Sequence, residues 1–192
     1  MTLLKIAQMG DPILRIPAQP LTPKQRDSEE IQTFIDDLIE TMHEAQGAGL
    51  AAPQVYRSLR ICAVHVVAPN PRYPYKPAIP LRILINPIIT PLGKDTFENF
   101  EGCLSVPDAR GRVRRYAKIH LKYEDREGKV HDEDVSGISA GTYQHECDHL
   151  DGKLFIDQII DPASLTTWKN FDRFHKETFV KEAEAIVKKF GA

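Results

Sequence analysis

Two histidines four residues apart, His145 and His149, set the strictest condition on how this chain folds. Residues at that spacing share one face of a helix, one turn apart, so both imidazoles can reach a single ion only if this segment is helical. The spacing predicts a helix over 139–150, with Asp151-Gly152 supplying its C-terminal stop. Glu146 lies about 100° round from His145, near enough to touch a water at such an ion without being a ligand. A His-Glu-x-x-His pattern arises by chance on the order of 0.02 times in a chain of this composition. The plain alternative is two histidines satisfied in the core or exposed on a helix.

A catalytic ion needs a third protein ligand and one open position. One zinc-protease pattern continues with Gly and then a third His; Gly152 is in place, but position 155 is Phe155. A second pattern takes a downstream Glu, for which Glu177 is a candidate. A third option is cysteine. Cys147 projects about 200° from the shared face, and Cys62 sits in an apolar strand as a small core residue. Cys103, in Glu101-Gly102-Cys103-Leu104-Ser105-Val106-Pro107, lies where irregular backbone could present a thiolate. Three cysteines, an odd number, argue against a disulfide framework.

The rest of the chain supplies the frame. Its 192 residues suffice for one core, which places a single domain over 1–192, and no 18-residue apolar run exists to span a bilayer. The start has no basic segment followed by an apolar stretch, so the default compartment is the cytoplasm. Ser28 caps a predicted helix with Ile31, Phe34, Ile35, Leu38 and Met42 at 3–4 spacing, ended by Gly47 and Gly49. Strand signals fall at 60–67, 81–86 and 117–123, and near Val130 after a Glu127-Gly128 turn. Residues 68–80 hold five prolines and read as an ordered surface loop, with a lid as the alternative. A terminal helix is expected after Asp161-Pro162. These elements predict an α+β fold with a mainly antiparallel sheet and a long C-terminal helix.

A further segment, Gly47-Ala48-Gly49-Leu50-Ala51-Ala52-Pro53-Gln54, lets another chain approach its backbone closely, although alone it reads as a helix stop and turn. Taken with Glu101–Ser105 and Gln144–His149 it resembles the peptide deformylase family. That family's three signatures, G-x-G-L-A-A-x-Q, E-G-C-L-S and Q-H-E-x-D-H, occur here in the family's order. The resemblance also takes in Gly10-Asp11-Pro12 and the overall length. It implies a sheet packed around a central metal-binding helix, with Cys103, His145 and His149 as the metal ligands. It makes Glu146 the general acid/base, and Gln54 and the Leu104 N–H the oxyanion donors. Gly49 becomes a backbone contact to substrate, and Arg110 is a further substrate-binding candidate. The family's ion is Fe(II), with zinc, nickel or cobalt able to replace it. The implied substrates are N-formylmethionyl peptides and nascent chains, which release formate.

This chain departs from the family at Ala48, Gly141 and Thr142, where aliphatic residues are usual. These three are expected to border the methionine side chain, so the pocket has lost methyl groups and should discriminate methionine from phenylalanine less well. Arg110, Arg112, Arg114, Arg115 and Lys118 form a basic run, read as a solvated strand or loop, with a ribosomal contact as the alternative. Lys181, Lys188 and Lys189 compete for that contact. With 25 basic and 27 acidic residues the net charge is −2, which disfavours sequence-specific nucleic-acid binding. The remaining rivals are a zinc endopeptidase using Glu177 and a metal-stabilised binding module without catalysis.

Overall fold

Alternation along the strands decides where the helices on either side of the main sheet go. The computed structural model describes residues 2–67 and 76–191. A short helix α1 (Pro23–Arg26) leads into α2 (Glu29–Glu44), whose N-terminus Ser28 caps by accepting from the Ile31 N–H. Then follow β1 (Gly49–Ala51), β2 (Ile61–Val66), β3 (Ile79–Pro91), β4 (Thr96–Cys103), β5 (Val106–Tyr116), β6 (Lys118–Glu124) and β7 (Val130–Ser136). Helix α3 (Gly137–Leu150), β8 (Thr166–Thr167), α4 (Trp168–Phe174) and α5 (Lys176–Phe190) complete the chain. Five strands pair antiparallel in the order β1-β2-β3-β6-β7, and β4, β5 and β8 form a second antiparallel sheet.

On β2, Ile61 and Ala63 pack with Phe34, Ile35, Leu38 and Met42 of α2. Cys62, Val64 and Val66 face the opposite way, with Ala140, Tyr143 and Leu150 of α3. The sheet therefore lies between the two helices. Helix α3 is buried at every residue except His145 and Asp148, which are half-buried. The α+β class, the antiparallel pairing and the central helix agree with expectation.

Two boundaries differ. Strand β3 begins at Ile79, inside the proline-rich segment, because Pro80 falls where the register with β2 slips between Val64 and Val66; a bulge tolerates a missing N–H. Most of that segment, with its loop and lid readings, lies outside the described residues. Cys103 ends β4 just after the register slips between Glu101 and Cys103, as the expected irregular backbone, and pairs with Val106 across the two-residue turn Leu104-Ser105. Finally, Asp161 and Pro162 start only a 3-10 turn, Pro162–Ser164. Thr167 caps α4 instead, accepting from the Asn170 N–H, and the helix breaks at His175 before α5.

The end of α3 depends on one backbone conformation. Gly152 has φ +71, and a Cβ there would lie 2.7 Å from the Arg15 carbonyl oxygen. Gly152→Ala is therefore expected to lower unfolding stability by about 1–3 kcal/mol in denaturant melts. An unchanged midpoint would show that the turn relaxes without strain.

Candidate metal centre

Helix α3 and the end of β4 bring three soft or borderline donors together. One ligand atom each from Cys103, His145 and His149 lie within 4.8 Å of one another, and Cys103 Sγ is 3.3 Å from His149 Nε2. The imidazole planes stand at 85° to each other. His145 Nδ1 meets Glu101 Oε2 at 2.7 Å, which leaves its Nε2 for the centre. The Ser105 N–H and Gln54 Nε2 each approach Cys103 Sγ at 3.4 Å. One thiolate and two imidazoles make a three-ligand set suited to a divalent transition metal.

Behind these donors lies a buried ion-pair chain. Arg115 donates to Glu101 through Nε at 2.8 Å and Nη2 at 2.7 Å, and its Nη1 reaches Asp148 Oδ2 at 2.5 Å. Burial alone would raise the Glu101 carboxyl, but Arg115 and His145 outweigh it and hold Glu101 ionised well below the usual carboxylate range. Burial would lower His145, yet Glu101 and Cys103 raise it well above its usual value. His149 is pushed well down by burial and by neighbouring His145 and Arg115.

Glu146 is placed by a close approach. A Cβ on Gly49 would lie 2.3 Å from Glu146 Oε1, so only glycine leaves room for the carboxylate. Glu146 Oε2 is buried and has no hydrogen-bond partner among the described residues. Burial raises its carboxyl to about 7. Gln54 is fixed beside it: its Oε1 accepts from the Ala51 N–H at 2.9 Å, and its Nε2 donates to Ser105 Oγ at 3.0 Å. Leu104 borders the same cavity from the β4–β5 turn.

Ala48, Gly49, Gly141 and Thr142 all line this cavity, whose free volume is only about 30 Å³. The room left by small residues is partly taken. Lys76 enters the cavity wall and donates to Thr142 Oγ1 at 3.0 Å. A Cβ on Gly141 would meet Phe97 Cζ at 3.0 Å, so bulk restored there meets Phe97. Two candidates lie elsewhere. Arg110 is fully buried away from the cavity lining, its guanidinium carbon 3.9 Å from the Phe171 ring centroid and 4.5 Å from that of Trp168. Glu177 is exposed on α5 and pairs with Lys181 at 3.0 Å, far from a ligand's surroundings.

The basic run is solvated only in part: Arg114 and Lys118 are exposed, and the other three are not. Arg110 and Arg115 are buried, Arg112 pairs with Glu182, Arg114 with Glu98, and Lys118 with Asp134. Sequence reading thus missed Arg115, Asp148, Ser105 and Lys76 as neighbours of the site. Cys62 and Cys147 met expectation: contact with Cys147, then burial, raises the Cys62 thiol, and neither thiol belongs to the donor cluster.

The sequence profile described as polypeptide deformylase matches residues 3–164. The chain is 44% identical over 165 residues to peptide deformylase 1 of Prochlorococcus marinus (strain MIT 9313), covering 86% of this chain and 85% of that one. It is 43% identical over 169 residues to peptide deformylase 2 of Nostoc sp. (strain PCC 7120 / SAG 25.82 / UTEX 2576), covering 88% and 93%. Among solved structures, a Met-Ala-Ser-bound class I type b peptide deformylase from Acinetobacter baumannii is similar with a TM-score of 0.79 and 38% identity. That match covers 82% of this chain and all but 1% of the other, 99%.

Two outcomes follow from the geometry. Glu101→Gln should weaken metal affinity about 10–100-fold, because a neutral amide no longer fixes the His145 ring, whereas Glu177→Gln should leave it unchanged. Equal affinities for both variants in a chelator competition would remove Glu101 from that role. The second concerns the metal-free chain. The folded-state carboxyl of Glu146 is raised from 4.5 to about 7, so this group stabilises below pH 4.5 and loses about 3 kcal/mol as pH rises to about 7. Glu146→Gln should lack that fall in denaturant melts across the same window. Parallel pH profiles would show that the carboxylate is solvated.

Proposed function

This chain belongs to the polypeptide deformylase family, whose members remove the formyl group from N-terminal formyl-methionine, and we propose that it acts through an ion held by Cys103, His145 and His149. The observation that carries the site assignment is the convergence of these donor atoms beside a buried, unpartnered Glu146 Oε2. The donor set fits a single divalent metal. The resemblance supports Fe(II) as the resident ion, and zinc, nickel or cobalt suit the same ligands. When bound, the ion acidifies water and polarises the formyl carbonyl.

The chain's own residues do the rest. Glu146 Oε2 accepts the proton of the attacking water, and a carboxyl that titrates near neutrality can return it to the leaving amine nitrogen. That transfer yields formate and a free amino terminus. Gln54 Nε2 and the Leu104 N–H donate to the oxyanion; Gln54 is suited to this because its Oε1 is already anchored on Ala51 and its amide orientation is fixed. Strand β1 is the edge of the five-stranded sheet and borders the cavity through Gly49, which supports an extended peptide adding beside it. The first side chain then enters the recess at Ala48, Gly141 and Thr142.

The wider reading is a single catalytic domain over 1–192, working in the cytoplasm on nascent chains. No helix of the described residues is long and apolar enough to cross a membrane. A ribosomal contact is open to the exposed members of the run, Arg114 and Lys118, and to Lys188 and Lys189 on α5.

Glu146→Ala tests the proton carrier. The variant should retain its metal, since Glu146 is not a ligand, and release formate from formyl-Met-Ala-Ser about 10²–10⁴-fold more slowly. A metal-loaded variant with wild-type turnover would remove Glu146 from the mechanism.

A further inference from the structure

Two groups that must aim at one oxygen sit on elements that share no strand pairing. Gln54 lies on the 3-10 turn Ala52–Val55, and Leu104 lies much later in the chain, in the β4–β5 turn. The N-terminal segment reaches both. The Ala7 N–H donates to the Gln54 carbonyl at 2.7 Å, and the Met9 N–H donates to the Ser105 carbonyl at 2.7 Å. Between them, Gln8 Nε2 donates to the Ile6 carbonyl and to the Leu104 carbonyl, each at 3.3 Å. The amide nitrogen carries two protons, so both bonds hold at once and tie the turn to the segment. Ala7 is fully buried in the apolar cluster that contains Leu14, Cys103 and Val106, which anchors the segment, whereas Gln8 is exposed.

The turn depends on these bonds. Strand pairing ends on β4 at Cys103 and resumes on β5 at Val106, so the Leu104 and Ser105 carbonyls take their partners from outside the ladder. The Leu104 N–H belongs to the peptide that joins Leu104 to Cys103. Its direction is set on one side by Cys103, whose Sγ belongs to the donor cluster, and on the other by the Leu104 carbonyl. Gln8 holds that carbonyl. A donor stabilises developing charge most when its direction is fixed before the charge forms.

We propose that Gln8 is a positioning residue for the reaction: it anchors the Leu104 carbonyl to the N-terminal segment and so aims the Leu104 N–H at the oxyanion. The inference rests on the reading that Leu104 and Gln54 are the oxyanion donors. Gln8 itself touches no reacting atom. The same segment holds Gln54 through the Ala7 N–H, so residues 7 to 9 set the spacing between the two donors.

The test uses the metal-loaded enzyme with formyl-Met-Ala-Ser. Gln8→Met keeps the length of the side chain and removes the donor, and because the position is exposed no cavity opens. An oxyanion donor acts in the transition state rather than on bound substrate. Both kcat and kcat/KM should therefore fall together, about tenfold, with KM, metal content and unfolding midpoint unchanged. Gln8→Lys returns a donor at similar reach and should recover most of the loss. In a Gln54→Ala background the Leu104 N–H is the remaining donor, so adding Gln8→Met should again lower kcat about tenfold. A wild-type kcat in Gln8→Met would overturn the proposal. So would a loss that disappears in the Gln54→Ala background, or one that tracks a lower metal content or midpoint. Gln54→Ala alone tests the reading beneath: an unchanged kcat there would remove the oxyanion assignment and this inference with it. A slowed Gln54→Ala beside an unaffected Gln8→Met would overturn the inference alone.

Discussion

The bidentate contact between Arg115 and Glu101 joins the three elements on which the site depends. Glu101 sits two residues before Cys103 on β4, Arg115 lies on β5, and their partners His145 and Asp148 lie on α3. Both charges are nearly inaccessible, at 3% and 6% exposure, so neither could be left alone without a large desolvation cost. Each is therefore satisfied at several atoms. Glu101 takes two donors from Arg115 and one contact from His145, and Arg115 spends its remaining nitrogen on Asp148. The pairing fixes the angle between the hairpin carrying the thiol and the helix carrying the imidazoles. It also sets which nitrogen of His145 faces the centre.

A second constraint is space. Helix α3 runs through the middle of the protein, and the loop that enters β1 must pass its Glu146 at near contact. Gly49 allows this, and Leu50 and Ala51 then send their side chains to opposite faces of the sheet. The same three-residue strand thus seats the Glu146 carboxylate, anchors Gln54 through Ala51, and leaves a sheet edge beside the cavity. Local packing and chemistry are hard to separate here, because a larger side chain at 49 would move Glu146 before it disturbed the core.

Patterns that repeat locally were legible in the sequence. The 3–4 spacing from Ile31 to Met42 gave α2, and the apolar run at 60–67 gave β2 within one residue at each end. The donor trio was legible as a motif, yet composition and spacing alone left Cys103 and Glu177 both open as third ligands. Deciding between them required knowing that β4 ends against α3 while Glu177 faces solvent. The β4–β5 hairpin was hidden for a different reason. Its pairs, such as Glu98 opposite Arg114 and Phe100 opposite Arg112, are cross-strand charge and cation–ring contacts, which leave no apolar alternation to read. Lys76 was invisible because it comes from a proline-rich segment with no motif, and only the fold brings it to Thr142.

The arginines of β5 show how far a charge run can depart from a solvated surface. Odd and even positions on a strand face opposite ways. Val113 and Arg115 turn inward, where Arg115 holds the carboxylate behind His145. Arg110 and Arg112 turn to the other side, where Arg110 lies over Trp168 and Phe171 and Arg112 pairs with Glu182 on α5. The second face is covered by helices that follow residue 164, where the family match ends. One strand therefore stiffens the metal centre with one set of guanidinium groups and fastens the C-terminal helices with the other. The site lies on the first face, and the helices brace the hairpin from behind, through Phe100 packed on Phe171 and Phe179 just before Glu101. Rigidity at Glu101 thus depends on both faces of the hairpin being filled, which is why so polar a strand is buried so deeply.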